Sequence, residues 1–282
     1  MSKVFLALLD GMRPDSLTAG NHPFYQELLK TGRYSMNMQA VVPSVTLPCH
    51  MSLFHGVTAG RHGILTNTYV PQVRPVRGIC EVLAAAGKTS ALFYTWEALR
   101  DLALPHSITR GSFVSGPQQT FAVADRLITE DAEKMLASGN LPDFIFFYQG
   151  QPDEAGHKYG WMTDEYMQAI SESLDNVQRI AAHLPPEYHV ILTADHGGHD
   201  RTHGTELPED MTIPFFMRHA SLTPGENDWQ YLHYRYRADH HQSAGAGGRS
   251  GLGRPGPVKH PPGKSRSTAG SSARRDGPAD FI

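Results

Sequence analysis

The stretch Ile191-Leu192-Thr193-Ala194-Asp195-His196-Gly197-Gly198-His199 decides the reading of this chain. An apolar, β-branched run stops at an acid and an imidazole, and two glycines follow. A buried strand that ends this way delivers polar side chains to the carboxyl edge of a sheet, where α/β proteins build their sites. Two further stretches repeat the pattern. Val4-Phe5-Leu6-Ala7-Leu8-Leu9 runs into Asp10-Gly11, and Phe144-Ile145-Phe146-Phe147-Tyr148 is followed by Asp153 and His157. One strand-end Asp is ordinarily a helix cap. Three strands that run into Asp or His, from distant parts of the chain, point to one multi-ligand metal site.

The elements around these strands alternate between the two periods. Strands are expected at about 3–9, 89–94, 143–148, 188–194 and 211–217, and helices at about 23–31, 49–54, 76–87, 121–137 and 163–183. Apolar residues recur at helical spacing through Phe121, Val123, Ala124, Leu127, Ile128 and Ala132. Strands alternating with helices predict an α/β fold, a mostly parallel sheet sandwiched between helices.

Bulk properties narrow the function class. The chain has 282 residues, a net charge of −3, 40% hydrophobic residues and 16 histidines; mean hydropathy is −0.37. That charge gives no general attraction to nucleic acid or anionic membrane. Cys49 and Cys80, the two cysteines, form neither a disulfide framework nor a C-x-x-C motif. The first apolar run is too short for a signal peptide, and no stretch reaches membrane-span length. A cytoplasmic protein without membrane contact is expected.

The composition changes near the C-terminus. Residues 1–226 read as the catalytic domain, whereas 227–282 are rich in Gly, Ser, Pro, Arg and His, as in Gly245-Ala246-Gly247-Gly248-Arg249. Such a segment reads as an unstructured basic tail, and nucleic-acid binding by it is not expected. Reverse translation from Asp228, shifted forward by one nucleotide, permits a strand and an Asp-Ile-Ala-Pro helix start. A frameshift product is the reading adopted for the tail.

The segment Pro43-Ser44-Val45-Thr46-Leu47-Pro48-Cys49-His50 sets hydroxyls at an extended-to-helix turn. Free N–H groups and the positive dipole end favour an anion there. Ser44 or Thr46 in isolation reads first as an N-cap; beside a metal site, the hydroxyl becomes a nucleophile candidate.

These blocks occur in a telling order: Asp10-Gly11, Pro-Ser-Val-Thr46-Leu-Pro, Arg61-His62-Gly63-Ile64, Asp153-x-x-Gly156-His157-Lys158-Tyr159-Gly160, and Ala194-Asp195-His196-Gly197. Over about residues 1–225 the chain resembles the alkaline phosphatase superfamily, in its type I phosphodiesterase/nucleotide pyrophosphatase branch, with phosphonoacetate hydrolase a close relative. The resemblance implies hydrolysis of small phosphorylated substrates, phosphodiesters or nucleotide pyrophosphates, through a threonine phosphoryl intermediate on Thr46. It implies two divalent ions, zinc or alternatively manganese. Asp10, Thr46, Asp195 and His196 would hold one; Asp153, His157 and a later histidine would hold the other. His203-Gly204 fits the family dipeptide better than His199, its competitor. A phosphomonoesterase, a C–P bond hydrolase and an inactive metal-binding relative are the alternatives. The family commonly has asparagine after Thr-x-Pro, a phosphoryl-binding amide, where this chain has Cys49. Phosphate recognition must then come from the helix N-terminus, the metals or another side chain. His62 is expected to buttress the nucleophile helix, Trp96 to pack at the core or rim, and Glu206, Glu209 and Asp210 to form a solvated loop.

Overall fold

Residues 3–229 are described by the structure, a computed structural model. The tail beyond residue 229, and with it nearly all of the frameshift reading, lies outside the described residues. Eight strands form one sheet: β1 (Lys3–Leu9), β2 (Arg33–Gln39), β3 (Ser90–Tyr94), β4 (Arg110–Phe113), β5 (Phe144–Gln149), β6 (Tyr188–Thr193), β7 (Thr212–Arg218) and β8 (Gly225–Glu226). Their order is β4-β3-β5-β1-β6-β7-β2-β8. All neighbours pair in parallel except β7, which runs against both β6 and β2. The mostly parallel α/β fold is therefore the observed one.

Nine helices connect and cover the strands: α1 (Pro14–Gly20), α2 (Pro23–Thr31), α3 (Thr46–His55), α4 (Ala59–His62), α5 (Ile79–Ala85), α6 (Phe121–Ala137), α7 (Gln151–Tyr159), α8 (Asp164–His183) and α9 (Pro208–Met211), counted among the described residues. The side-chain alternation of β5 shows that both faces are covered. Phe144 and Phe146 meet Phe54 of α3 edge to face, and Tyr148 meets His50 of the same helix. Gln149, on the opposite face, accepts a hydrogen bond from Asn176 of α8 at 2.8 Å. Strands sealed on two faces are mostly apolar, which is why Val4–Leu9, Phe144–Tyr148 and Val190–Leu192 read as hydrophobic runs.

Register then sets the site. Strand β1 lies between β5 and β6, with Leu9 level with Gln149 and Leu8 level with Thr193. The three carboxyl ends finish at one height, so residues just beyond them meet although up to 184 positions separate the bonded Gly11 and Asp195.

The limits of the sequence reading are local. Helix 76–87 is shorter, at Ile79–Ala85, and α3 begins at Thr46. Strands β2 and β4 were not expected; their burial patterns are mixed and they lie toward the two ends of the sheet. Asp153 and His157 do not sit at a strand end but one helix later, on α7, four residues apart. The chain still packs past 226: Asn227 donates its N–H to the Tyr34 carbonyl at 2.7 Å, and Trp229 lies edge-on to Phe215. No helix of the described residues is long and apolar enough to cross a membrane.

Candidate active site

Five chain segments converge at the carboxyl edge. Asp10 lies just past β1, Asp195 and His196 just past β6, α7 supplies Asp153 and His157, α3 opens with Thr46, and the loop from β6 to α9 supplies His203. The Oγ1 of Thr46 lies 3.2 Å from Nε2 of His196. That nitrogen is also 3.4 Å from Oδ1 of Asp10 and 3.3 Å from Oδ2 of Asp195. Asp153 faces two imidazoles, with Oδ2 3.4 Å from Nε2 of His157 and Oδ1 3.7 Å from Nε2 of His203. Two clusters have ligand atoms close enough to share a cation: Asp10, Asp195 and His196, and Asp153, His196 and His203. His157 falls outside the tighter grouping but remains beside Asp153.

The imidazoles share one orientation. Nδ1 of His157, His196 and His203 lies 3.0, 2.8 and 2.9 Å from the carbonyls of Arg201, Gly197 and Ser44. A carbonyl only accepts, so each Nδ1 carries the proton and each Nε2 presents a lone pair inward. Metal-binding histidines are commonly held in this manner.

The carboxylates complete the argument. Oδ1 of Asp10, Oδ1 of Asp153 and Oδ2 of Asp195 are buried without a hydrogen-bond partner among the described residues. Burial, then the charge of a neighbouring carboxylate, raises all three acids: Asp195 to about 8, Asp153 to about 7, and Asp10 well above the usual range. Burial pushes His203 down to about 3, and the neighbouring His196 pushes in the same direction. Buried acids raised further by one another, facing imidazole Nε2 atoms, form a donor set suited to a divalent cation. Nitrogen and oxygen donors without a thiolate fit zinc or manganese.

His199 does not join this set. Its Nδ1 is paired at 2.7 Å with Asp210, a residue that is fully buried instead of lying on a solvated loop. Cys49 is also turned away. It is 2% exposed, more deeply buried than a half-buried thiol at a helix start, and its Sγ approaches the carbonyls of Pro43 and Val41. Burial raises that thiol well above its ordinary value. His62 braces α3 as expected, with Nε2 3.0 Å from Oγ of Ser52. Trp96 packs against the core, half-buried.

Two polar residues escaped the sequence reading. Asn67 accepts the backbone N–H of Leu47 at 3.0 Å through Oδ1, so a carboxamide does reach the α3 N-terminus, from a different position. Its signal was its place just after the Arg61-His62-Gly63-Ile64 block. Asp125 of α6 accepts the N–H groups of Gly150 and Gln151 at 3.2 and 2.9 Å. It thus caps α7, whose own N-cap is a glycine. Burial raises its carboxyl to about 7 against the pull of those donors. Nothing in a single acid on an amphipathic helix reveals such a long-range cap.

Comparison with known proteins assigns the lineage. Residues 4–207 match the family model for type I phosphodiesterase / nucleotide pyrophosphatase. The chain belongs to that family. It is 25% identical over 215 residues to human ectonucleotide pyrophosphatase/phosphodiesterase family member 1, covering 67% of this chain and 23% of that protein. Human bis(5'-adenosyl)-triphosphatase ENPP4 is 25% identical over 221 residues, covering 69% and 47%. The chain thus spans between about a quarter and a half of these curated relatives. Among solved structures, a murine ectonucleotide pyrophosphatase/phosphodiesterase 5, an inactive threonine-to-alanine variant in complex with AMP, superposes with a TM-score of 0.67 at 15% identity. That match covers 82% of this chain and 91% of that one. Phosphonate monoester hydrolase from Silicibacter pomeroyi gives 0.60 at 17% identity over 80% and 69%. Family and fold together place the chain in the alkaline phosphatase superfamily.

Proposed function

We propose that this family member hydrolyses phosphodiester or nucleotide pyrophosphate bonds of small substrates, with Thr46 as nucleophile and two divalent cations as cofactors. The observation that carries the reading is the convergence on Thr46 of unpartnered buried carboxylate oxygens and inward-facing Nε2 lone pairs. Asp10, Thr46, Asp195 and His196 would hold one cation; Asp153, His157 and His203 would hold the other, with zinc favoured over manganese. Such ions supply positive charge that favours the threonine alkoxide and offsets charge on phosphoryl oxygens.

The chain's own groups then have defined tasks. The Thr46 Oγ loses its proton and attacks phosphorus, the ester or anhydride P–O bond to the leaving group breaks and that group takes up a proton, and the phosphoryl group, still carrying its other substituent, stays esterified to Thr46. Water hydrolyses that ester in a second step and regenerates the hydroxyl. Asn67 uses its Oδ1 on the Leu47 N–H, which leaves Nδ2 to donate to a non-bridging phosphoryl oxygen. The relative named as a bis(5'-adenosyl)-triphosphatase and the AMP complex of an inactive threonine variant support nucleotide-type substrates.

The test is metal analysis of the purified protein with turnover of bis(p-nitrophenyl) phosphate against p-nitrophenyl phosphate. About two zinc or manganese ions per chain and preference for the diester are expected. Metal-free protein that gains no activity with either ion would overturn the proposal.

A further inference from the structure

Three of the sequence blocks contain glycines that hold no ligand, and all three pack against one side chain. Trp161 follows α7 directly after Gly160 and is 6% exposed. A Cβ at Gly198 would fall 2.2 Å from its Cε2, and one at Gly156 would fall 2.7 Å from its Cδ2. At Gly11 a Cβ would lie 3.2 Å from Cζ2. At the first two positions a side chain would force the indole to move. Gly11 adjoins Asp10, Gly156 lies between Asp153 and His157, and Gly198 lies two residues past His196. Helix α7 keeps a glycine in its interior, at a propensity cost of about 1 kcal/mol relative to alanine, where the indole needs the space.

The indole is also fixed at its polar end and reaches two imidazoles. Its Nε1–H donates to the Gly11 carbonyl at 2.9 Å, which also accepts the Tyr166 hydroxyl. Its ring lies edge-on to His157, with centroids 5.2 Å apart at 84°, and 6.0 Å from the ring of His203. One rigid side chain therefore touches the segments carrying Asp10, Asp153 and His196, and the rings of His157 and His203 themselves.

We propose that Trp161 is the positioning residue of the Asp153–His157–His203 half of the site, a wedge that sets the spacing between α7, the β1 end and the loop after β6. This inference rests on the two-cation reading above. Interactions behind metal ligands commonly alter affinity by about 10- to 100-fold, and the wedge belongs in that range.

Zinc alone, titrated calorimetrically into the metal-stripped full chain, tests it. Trp161→Phe and Trp161→Leu should weaken one of two zinc sites at least tenfold and leave the other near its wild-type affinity. Gly198→Ala should weaken the same site, and the pair Gly198→Ala/Trp161→Leu should bind more tightly than Gly198→Ala alone, because the smaller residue makes room for the methyl. A buried tryptophan that served stability alone would give no such reciprocal rescue. Should Trp161→Leu not fold, Trp161→Phe and the compensating pair decide the matter. Two wild-type zinc affinities in natively folded variants, with no rescue in the pair, would overturn the wedge alone. A wild-type chain that binds neither zinc nor manganese would overturn the two-cation reading and the wedge with it.

Discussion

The Oγ1 of Thr46 and Nε2 of His196 lie 3.2 Å apart, and the imidazole is held from behind by its Nδ1–H on the Gly197 carbonyl. The hydroxyl is thus the first group of α3 and also the group closest to a candidate ligand lone pair. Thr46→Ala should lower diesterase turnover by more than about 10³-fold, the scale expected when a nucleophile is lost. Zinc stoichiometry should fall little, since six other candidate ligands remain. Steady-state kinetics with parallel metal analysis checks this; near-normal turnover would exclude a phosphothreonine intermediate.

In the proposed reading, three clustered buried acids make the fold responsive to divalent cations. Asp10, Asp153 and Asp195 each have an oxygen without a partner, and each is raised by burial and by a neighbouring acid. A cation that binds the folded chain alone stabilises it by about 2.7 kcal/mol at a free concentration one hundred times its Kd. Zinc should therefore raise the melting midpoint of chelator-treated protein by several degrees, and EDTA should reverse the gain. Thermal melts of Asp195→Asn set the control, in which the gain should shrink. A midpoint indifferent to zinc would contradict the proposed donor set.

Asn67 provides the carboxamide that position 49 lacks. Its Oδ1 is engaged by Leu47, and in the proposed mechanism its Nδ2 donates to the substrate. Asn67→Ala should reduce kcat/KM for a diester by about 10²- to 10³-fold, as removal of one oxyanion donor does elsewhere. Asn67→Asp, which adds negative charge beside a phosphoryl group, should be worse. Cys49→Ala, at a thiol turned toward the loop carbonyls, should change kcat/KM less than twofold. Equal losses for Asn67→Ala and Cys49→Ala would sink this assignment.

What could be read in advance follows from the range of each interaction. The runs before Asp10 and Asp195 are apolar because both faces of their strands are buried, so a linear pattern announced both the strand and its functional end. The partner segments were harder. Whether Asp153 sat on a strand end or a helix was not evident, because Gln151-Pro152 begins a helix whose cap, Asp125, lies 26 positions earlier. The His203-Gly204 dipeptide favoured His203 over His199 in sequence, but the pairing of His199 with buried Asp210 shows only in three dimensions. Trp161 left no signal at all. Its effect was visible only as glycines, which resembled motif letters until the indole was placed over them.

The loop carrying His203 is tied down by a pair that responds to pH. Nδ1 of His199 meets Oδ1 of Asp210 at 2.7 Å, and Oδ2 of Asp210 accepts the N–H and hydroxyl of Thr205. The hydrogen bond to Asp210 raises the His199 imidazole above its ordinary value. Burial would raise Asp210, but His199 and Thr205 outweigh it and hold the carboxyl below its ordinary value. The signs follow from linkage. A raised histidine contributes stability that is complete below its unfolded pKa of about 6.5 and is lost as pH climbs through the folded value. A depressed aspartate contributes above its unfolded value of about 3.9 and loses that contribution as pH falls through the folded value. Full contribution is therefore confined to roughly pH 4–6.5, and with the His199 side partly exposed the pair supplies on the order of 1 kcal/mol. Melting curves of wild type and His199→Gln should differ most near pH 5–6 and converge at alkaline pH. A gap that stays constant across that range would show that His199 acts as a neutral hydrogen-bond donor and not as the charged half of the pair.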